Sequence, residues 1–288
     1  MNRFSALFLS AALLTATVPG ACGQAGDTAE MPGATVHLAG TDDAAADPQV
    51  ASTADMPRFL LVDNDVLKAD ARFEEAIFAF DPAIAADLIE DANSRIEVMQ
   101  QDAMAYKEAD PEYFRPYGLK IDWRVTGAAG SLAGLEGFIF TFTGGAHGNY
   151  MTDARIYDTA TGDRLQAGDL FTDKAAAASA LAPDVFDSIA TAKAARSGSP
   201  DNRATFRGEA EDALAGTGLF AGEVSLVAST EEGKLGGLVL HYAPYEIGSY
   251  AEGAYHITLQ QADFHDLLKP EYADLFGGEP ADIQRFGD

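Results

Sequence analysis

The sequence predicts an α+β fold: an antiparallel sheet with one long helix and several shorter helices packed on it, all in a single domain. Three observations predict it. Ala85, Leu88, Ala92, Ile96, Met99, Ala103 and Tyr106 recur at spacings of three and four, which puts one apolar stripe on a long helix. Leu119, Ile121, Trp123 and Val125 alternate with Lys120, Asp122, Arg124 and Thr126, the period of a half-buried strand. Strand and helix signals are grouped rather than regularly alternating, and short turns join the strands, as in an antiparallel meander beside helices.

The N-terminus reads as an address. Asn2 and Arg3 precede a run of small and apolar residues over 4–18, broken by Pro19 and Gly20. Residues 1–22 therefore form a secretory signal, too short for a membrane span of about 20 apolar residues. Ala21-Cys22 at the end of this run resembles a bacterial lipoprotein processing site, which would make Cys22 the acylated first residue. Pro19 stands where that pattern usually has Leu, and a plain secretory signal with an incidental Cys is the alternative. Gly23, rather than Asp, follows Cys22. The expected location is the periplasm or outer membrane of a Gram-negative-type envelope, either anchored through Cys22 or secreted. Cys22 is the sole cysteine, so an internal disulfide is excluded.

Residues 23–57 carry six acids and no Lys or Arg and have almost no aromatics, the composition of a disordered acidic tether. The folded domain is expected over 58–276, with a companion region 58–115 ahead of a motif-bearing part 116–276, and 277–288 as a loose tail. The whole chain has 19 Lys+Arg against 45 Asp+Glu, a net charge of −26. From residue 58 onward 39 acids face 18 bases, so the acidity belongs to the domain itself. Such a surface repels nucleic acid and anionic lipid and attracts cationic partners.

Along the domain, residues 59–62 and 76–80 read as strands. Asp81 is placed to cap the long helix, with Pro82 at its first position, and Asp110-Pro111 ends it after about residue 108. Strands over 119–125, 138–142 and 150–157 follow, separated by a glycine-containing turn at 143–148. A second turn at 159–163 has Gly162 suited to positive φ. Residues 173–195 form an alanine-rich helix, 197–202 a break and 205–214 a second short helix. Strands over 224–227, 235–242 and 255–259 come next. A last short helix, 262–268, is expected to stop at Pro270.

Three motifs in order give a resemblance. Thr143-Gly144-Gly145-Ala146-His147 forms a turn between strands. Asp158-Thr159-Ala160-Thr161-Gly162-Asp163-Arg164-Leu165 leads to Asp169-Leu170-Phe171. Tyr245-Glu246-Ile247-Gly248-Ser249-Tyr250-Ala251-Glu252-Gly253 follows an aromatic strand. This series resembles a bacterial extracytoplasmic domain of unknown function. That domain is found in lysozyme-sensing anti-sigma factors of the RsiV type and beside polysaccharide deacetylase domains of the PdaC type. Family members often have Pro where this chain has Ser249, and the chain has neither a deacetylase domain nor a sigma-binding segment. The resemblance therefore implies the sensor or binding module alone.

The candidate binding residues are Thr143, Gly144, Gly145, His147, Tyr245, Glu246, Tyr250 and Gly253. His147 would either contact a ligand or pin its turn by a backbone hydrogen bond. Glu246 is the best single carboxylate candidate for catalysis, its structural role being to hold the 245–253 loop. Tyr242, Tyr245, Tyr250 and Tyr255 fall within 14 residues, a density typical of interface anchors and equally of packing on a sheet. His241 and His256 sit on different strands, His265 on the last helix and His37 in the tether. No pair has the spacing of a zinc site, and no metal or cofactor is expected. Gly-x-Ser-x-Gly elbows and cysteine nucleophiles are absent.

The expected protein is a non-enzymatic, monomeric envelope binding module. Its partner would be a basic protein such as a lysozyme-like muramidase, or peptidoglycan fragments, and it would touch a membrane only through a lipid anchor. The alternative is an envelope glycan hydrolase, or a deacetylase-associated enzyme, that uses carboxylates. The first reading requires 143–148 and 245–253 to meet in one surface.

Overall fold

Alternating small and apolar residues build the first sheet. In Leu67–Phe73 (β2), Leu67, Ala69, Ala71 and Phe73 are buried and the residues between them are not. Phe59–Asp63 (β1) lies antiparallel along it. The structure, a computed structural model, describes residues 52–282. The signal segment, Cys22, most of the tether and the last six residues of the tail lie outside the described residues.

After β2 the chain makes a single 3-10 stretch, Glu75–Ala79, and enters helix α1, Pro82–Ala109. Asp81 caps the helix by accepting from the Ala83 amide, with Pro82 in the first turn, as the sequence predicts. Ile84, Ala85, Leu88, Ala92, Ile96 and Ala103 are buried on one face against the sheet. Burying a Leu or Ile of this kind contributes about 1.5–3 kcal/mol. Tyr106, at the end of the stripe, is partly exposed and sits 6.3 Å from Phe114 and 6.4 Å from Tyr117.

α1 is a crossover. It returns the chain so that Tyr117–Ala129 (β3) lies parallel to β2, with Leu67 opposite Tyr117 and Phe73 opposite Trp123. Leu132–Phe142 (β4), Asn149–Asp158 (β5) and the short Arg164–Leu165 (β6) then add antiparallel neighbours. The sheet has six strands in sequence order. Lys174–Ser197 (α2) and Arg203–Leu214 (α3) follow, and then a separate antiparallel sheet of Glu223–Ala228 (β7), Leu235–Tyr242 (β8) and Tyr255–Gln260 (β9). Two one-turn helices, Gln261–Phe264 (α4) and Pro270–Ala273 (α5), close the domain.

The second sheet packs by β7 onto β3, β4 and β5. Two glycines paired across β3 and β4, Gly127 and Gly134, allow the approach: a Cβ on Gly134 would lie 2.6 Å from the Leu226 amide nitrogen. Thr126 Oγ1 donates to the Leu226 carbonyl at 2.5 Å, and the Ala154 amide donates to Glu223 Oε2 at 2.7 Å. Two cores result. One lies between α1 and the first sheet, and the other lies among α2, the second sheet and the adjoining strand ends, including Leu132 and Ile156.

An ionic network centred on the buried Arg155 and Asp153 ties α1 to β5. The Arg155 guanidinium donates to Asp153 (3.0 Å and 3.1 Å) and Asp87 (2.9 Å) and lies 3.1 Å from Asp91. Arg95 joins Asp91 and Asp153, Tyr157 Oη donates to Asp87, and the Arg155 guanidinium sits 4.8 Å over the Trp123 ring. Burial opposes the charge on Arg155, but its bonds and attraction to Asp153 outweigh that and raise its pKa further.

The α+β class is as expected, with four corrections in detail. The strands form two sheets rather than one, and the first sheet contains a parallel pair, because α1 carries the chain back to the starting end of β2. Residues 76–80 are not a strand. Glu74 leaves the end of β2 by bonding its amide to Trp123 O and accepting from the Val125 amide, which turns Ile77 and Phe78 inward from a 3-10 turn. The tether is shorter than expected, since Thr53 Oγ1 donates to Phe78 O and Arg58 donates to the carbonyls of Thr53 and Met56. At the other end Pro270 starts a helical turn, and Gly277 and Ala281 bond to Leu235 and Ala228, so the tail is held through at least Ala281.

Candidate functional site

The 143–148 turn joins β4 to β5. Gly144 takes φ +84°, a conformation open to glycine, and Gly148 lies so close to the Phe140 ring that a Cβ would come within 2.2 Å of it. Thr143, Gly145 and His147 are exposed. His147 Nδ1 lies 2.8 Å from the Gly148 carbonyl. A carbonyl only accepts, so the neutral ring carries its proton on Nδ1 and leaves Nε2 as an acceptor.

The loop between β8 and β9 is built by its own carboxylates. Glu246 Oε2 accepts from the Ala243 amide at 2.8 Å. Glu252 Oε1 accepts from the Ser249 amide at 2.8 Å and closes a capping box over the single turn Tyr250–Glu252. Gly253 leaves that turn at φ +76°. Among the described residues Tyr245 is the one non-glycine with positive φ, at +77°, and it is 62% exposed. An L-residue held there costs about 1–2 kcal/mol, and the bonds on either side of Tyr245 hold it in place.

The two loops meet. Tyr250 Oη donates to the Gly148 carbonyl at 2.8 Å, and the Ala254 amide donates to Tyr150 Oη at 3.2 Å. The His147 ring stacks on Tyr250, with centroids 4.4 Å apart and planes 29° apart. Tyr245 lies 5.5 Å from Tyr250 on a tilted ring, and Tyr150 contacts it edge-on at 6.3 Å. Gly253 is close to the same centre, a Cβ there falling 3.3 Å from Tyr150 Oη. Of the residues singled out in the sequence, His147, Tyr245, Tyr250 and Gly253 thus converge. Thr143 and Gly145 are exposed at the neighbouring turn, Gly144 shapes it, and Glu246 braces the loop.

Sequence reasoning missed what lies behind Glu252. Its Oε2 accepts from Tyr255 Oη at 2.6 Å and lies 3.3 Å from Lys193 Nζ. Lys193 is 6% exposed and also meets Glu209 at 3.3 Å and donates to the Ile247 carbonyl at 3.2 Å. Partial burial works against the Glu252 charge, but the bonds from Tyr255, Ser249 and Lys193 prevail and hold its pKa at about 2. The one available signal was Lys193, a Lys set among alanines in the second half of an alanine-rich helix.

This loop carries a pH signature. The folded pKa of Glu252 lies below its ordinary value of 4.5, so its contribution is present above about pH 4.5 and lost as pH falls toward about 2. Glu252→Gln is expected to lower stability at neutral pH and to flatten the acid limb over that window. Urea midpoints measured from pH 7 down to pH 2 check this, and parallel curves for parent and variant would refute it.

His241 and His256, placed on separate strands by the sequence, are brought opposite each other by the β8–β9 register. Their Nδ1 atoms are 2.8 Å apart, and Ser225 Oγ lies 2.8 Å from His241 Nε2. The chain of bonds has the order of a serine nucleophile and its base, but Ser225 is 0% exposed and His241 3%. A nucleophile must reach its substrate, so this arrangement knits β7, β8 and β9 together rather than forming an active site. Among the described residues no group of three or more His, Cys, Asp or Glu is arranged to hold a metal ion, and no helix is long and apolar enough to cross a membrane.

No family model matches the chain, and no curated protein matches it. Among solved structures it is similar to a DUF3298 family protein from Pseudomonas aeruginosa PAO1. That pair has 18% identity and a TM-score of 0.45, covering 74% of this chain and 88% of the other. It is also similar to a member of the same family from Bacteroides fragilis NCTC 9343, with 15% identity, a TM-score of 0.47 and coverage of 75% and 95%.

Proposed function

We propose that the protein is a non-catalytic extracytoplasmic binding module whose recognition surface is the joined pair of loops at His147, Tyr245 and Tyr250. The observation that carries this reading is the convergence of three aromatic rings from two separate loops, with Tyr245 62% exposed in a constrained backbone. Rigid aromatic anchors flanked by polar groups are the usual energetic centre of protein interfaces. The motif resemblance to RsiV-type and PdaC-associated domains supports a lysozyme-like muramidase as partner. The net charge of −26 supports a basic protein, which would be steered in by long-range attraction.

The carboxylates of the site favour binding over glycan hydrolysis. Glu246 is taken up in bracing its loop, and Glu252 is held as a strong acid, the reverse of the raised pKa a general acid needs. A second reading, recognition of cell-wall glycan, is favoured by the stacked ring faces, which suit the apolar face of a sugar.

The test is calorimetric titration of the purified protein with a basic lysozyme at low and physiological salt, followed by peptidoglycan fragments. Saturable binding that survives physiological salt is expected. Tyr250→Ala should weaken it by about 2 kcal/mol or more while the thermal midpoint shows that the domain is still folded. Binding that vanishes with salt, or an unaffected Tyr250→Ala, would remove the surface from consideration. Binding of fragments alone would select the glycan reading.

A further inference from the structure

A groove of about 760 Å³ shares the 250–254 turn with the aromatic surface and is otherwise walled by α2 and α3. Its size is that of a small-ligand site. Its charges are unequally committed. Lys193 has three acceptors, Glu209, Glu252 and the Ile247 carbonyl, for its three protons, and it is buried.

Arg196 is different. It is exposed, its guanidinium lies 4.1 Å over the Tyr255 ring, and Nη1 donates to the Glu252 carbonyl at 2.6 Å. The stacking and that single bond orient the planar group. Its remaining company is the Tyr255 ring and hydroxyl, and no carboxylate side chain among the described residues pairs with it, so the side-on edge of Nε and Nη2, which takes a carboxylate in bidentate fashion, meets no competing anion. Glu209 is half exposed, with one oxygen on Lys193 and the other open, and Phe206 supplies an apolar wall next to it. The groove therefore offers one oriented cation, one open acceptor and one ring.

We propose that this groove binds a short peptide by its free C-terminal carboxylate, with Arg196 receiving the carboxylate, Glu209 accepting from the peptide's N–H groups and Phe206 lying under a side chain. A phosphate fits poorly. Its second negative charge would face Glu209 and Glu252, which already engage Lys193, and Arg196 is the one cation not so engaged. A peptide carboxylate brings one charge together with the donors that Glu209 needs. This proposal does not rest on the aromatic surface, since its test involves no protein partner.

The experiment is titration of the purified protein with trialanine, with C-terminally amidated trialanine and with inorganic phosphate, followed by calorimetry and by the amide resonances of 193–197 and 251–254. Trialanine is expected to bind saturably and to shift those resonances. Amidation and Arg196→Gln should each weaken it by about 10-fold or more, the usual share of a charge-assisted bidentate contact. Arg196→Lys, which keeps the charge and loses the fork, should recover only part of the affinity. Equal affinity for the free and amidated peptides, absence of binding, or phosphate binding as tightly as trialanine would each overturn the proposal. If Arg196→Gln proves unstable, the amidated peptide still decides the matter on the unaltered protein.

Discussion

Replacing Arg155 with leucine is expected to destabilise the domain by about 3 kcal/mol or more, the cost of leaving a buried carboxylate without its main counter-ion. Arg155 and Asp153 are 4% and 5% exposed, so neither has water to fall back on. Removing the guanidinium leaves Asp91 and Asp153 to Arg95 and leaves Asp87 with the Tyr157 hydroxyl. It also strips the cation from the face of Trp123 and loosens α1 from β5. Arg155→Lys restores a point charge without the fork and should fall between parent and leucine variant. Urea denaturation is the check. The midpoint should drop with the slope unchanged, whereas a shift of less than about 0.5 kcal/mol, the range of an ordinary surface change, would mean the network contributes nothing net.

Gly134→Val should be nearly as damaging, about 2–3 kcal/mol, for a steric reason. A Cβ at Gly134 would sit 2.6 Å from the nitrogen and Cβ of Leu226 and 2.9 Å from its Cα. Two of those atoms are backbone in the facing sheet, so no rotamer change relieves the clash. The sheets must move apart, weakening the Thr126–Leu226 and Ala154–Glu223 bonds beside it. Gly145→Ala is the control. Nothing lies within 4 Å of its added methyl, and its effect should stay within about 0.5 kcal/mol. Comparable losses from the two substitutions would show that Gly134 is not the close contact described.

Much of this architecture was legible because it is written locally. Asp81-Pro82 and the three-four spacing from Ala85 to Ala103 announce α1, and the bounds 235–242 expected from the apolar run match β8. The meeting of the 143–148 and 245–253 loops is what the binding reading requires, although neither segment alone states it. β2 escaped notice because two of its four inward residues are alanines, too small to stand out in an alternating pattern. The run at 76–80 misled because apolar content was read without seeing that Glu74 and Trp123 would bond and turn the chain. The parallel β2–β3 pair, the His241–His256 contact and the Lys193–Glu252 pair each depend on where distant segments arrive. No short window of sequence holds that information.

The seam between the two sheets bears on how the chain reaches this state. The hydrogen bond from Thr126 closes a loop of 100 residues and the one from the Ala154 amide closes a loop of 69. Closing such loops costs entropy before the contact returns anything, and topologies rich in distant pairings fold over milliseconds to seconds rather than microseconds. The first sheet and α1 draw on segments up to Leu165, so they are able to assemble early. Until β7 arrives, Gly127, Gly134 and their neighbours present an uncovered sheet face, the kind of surface on which partly folded chains associate. A slow last phase, sensitive to Gly134 and indifferent to Arg155, would be the kinetic imprint of that seam.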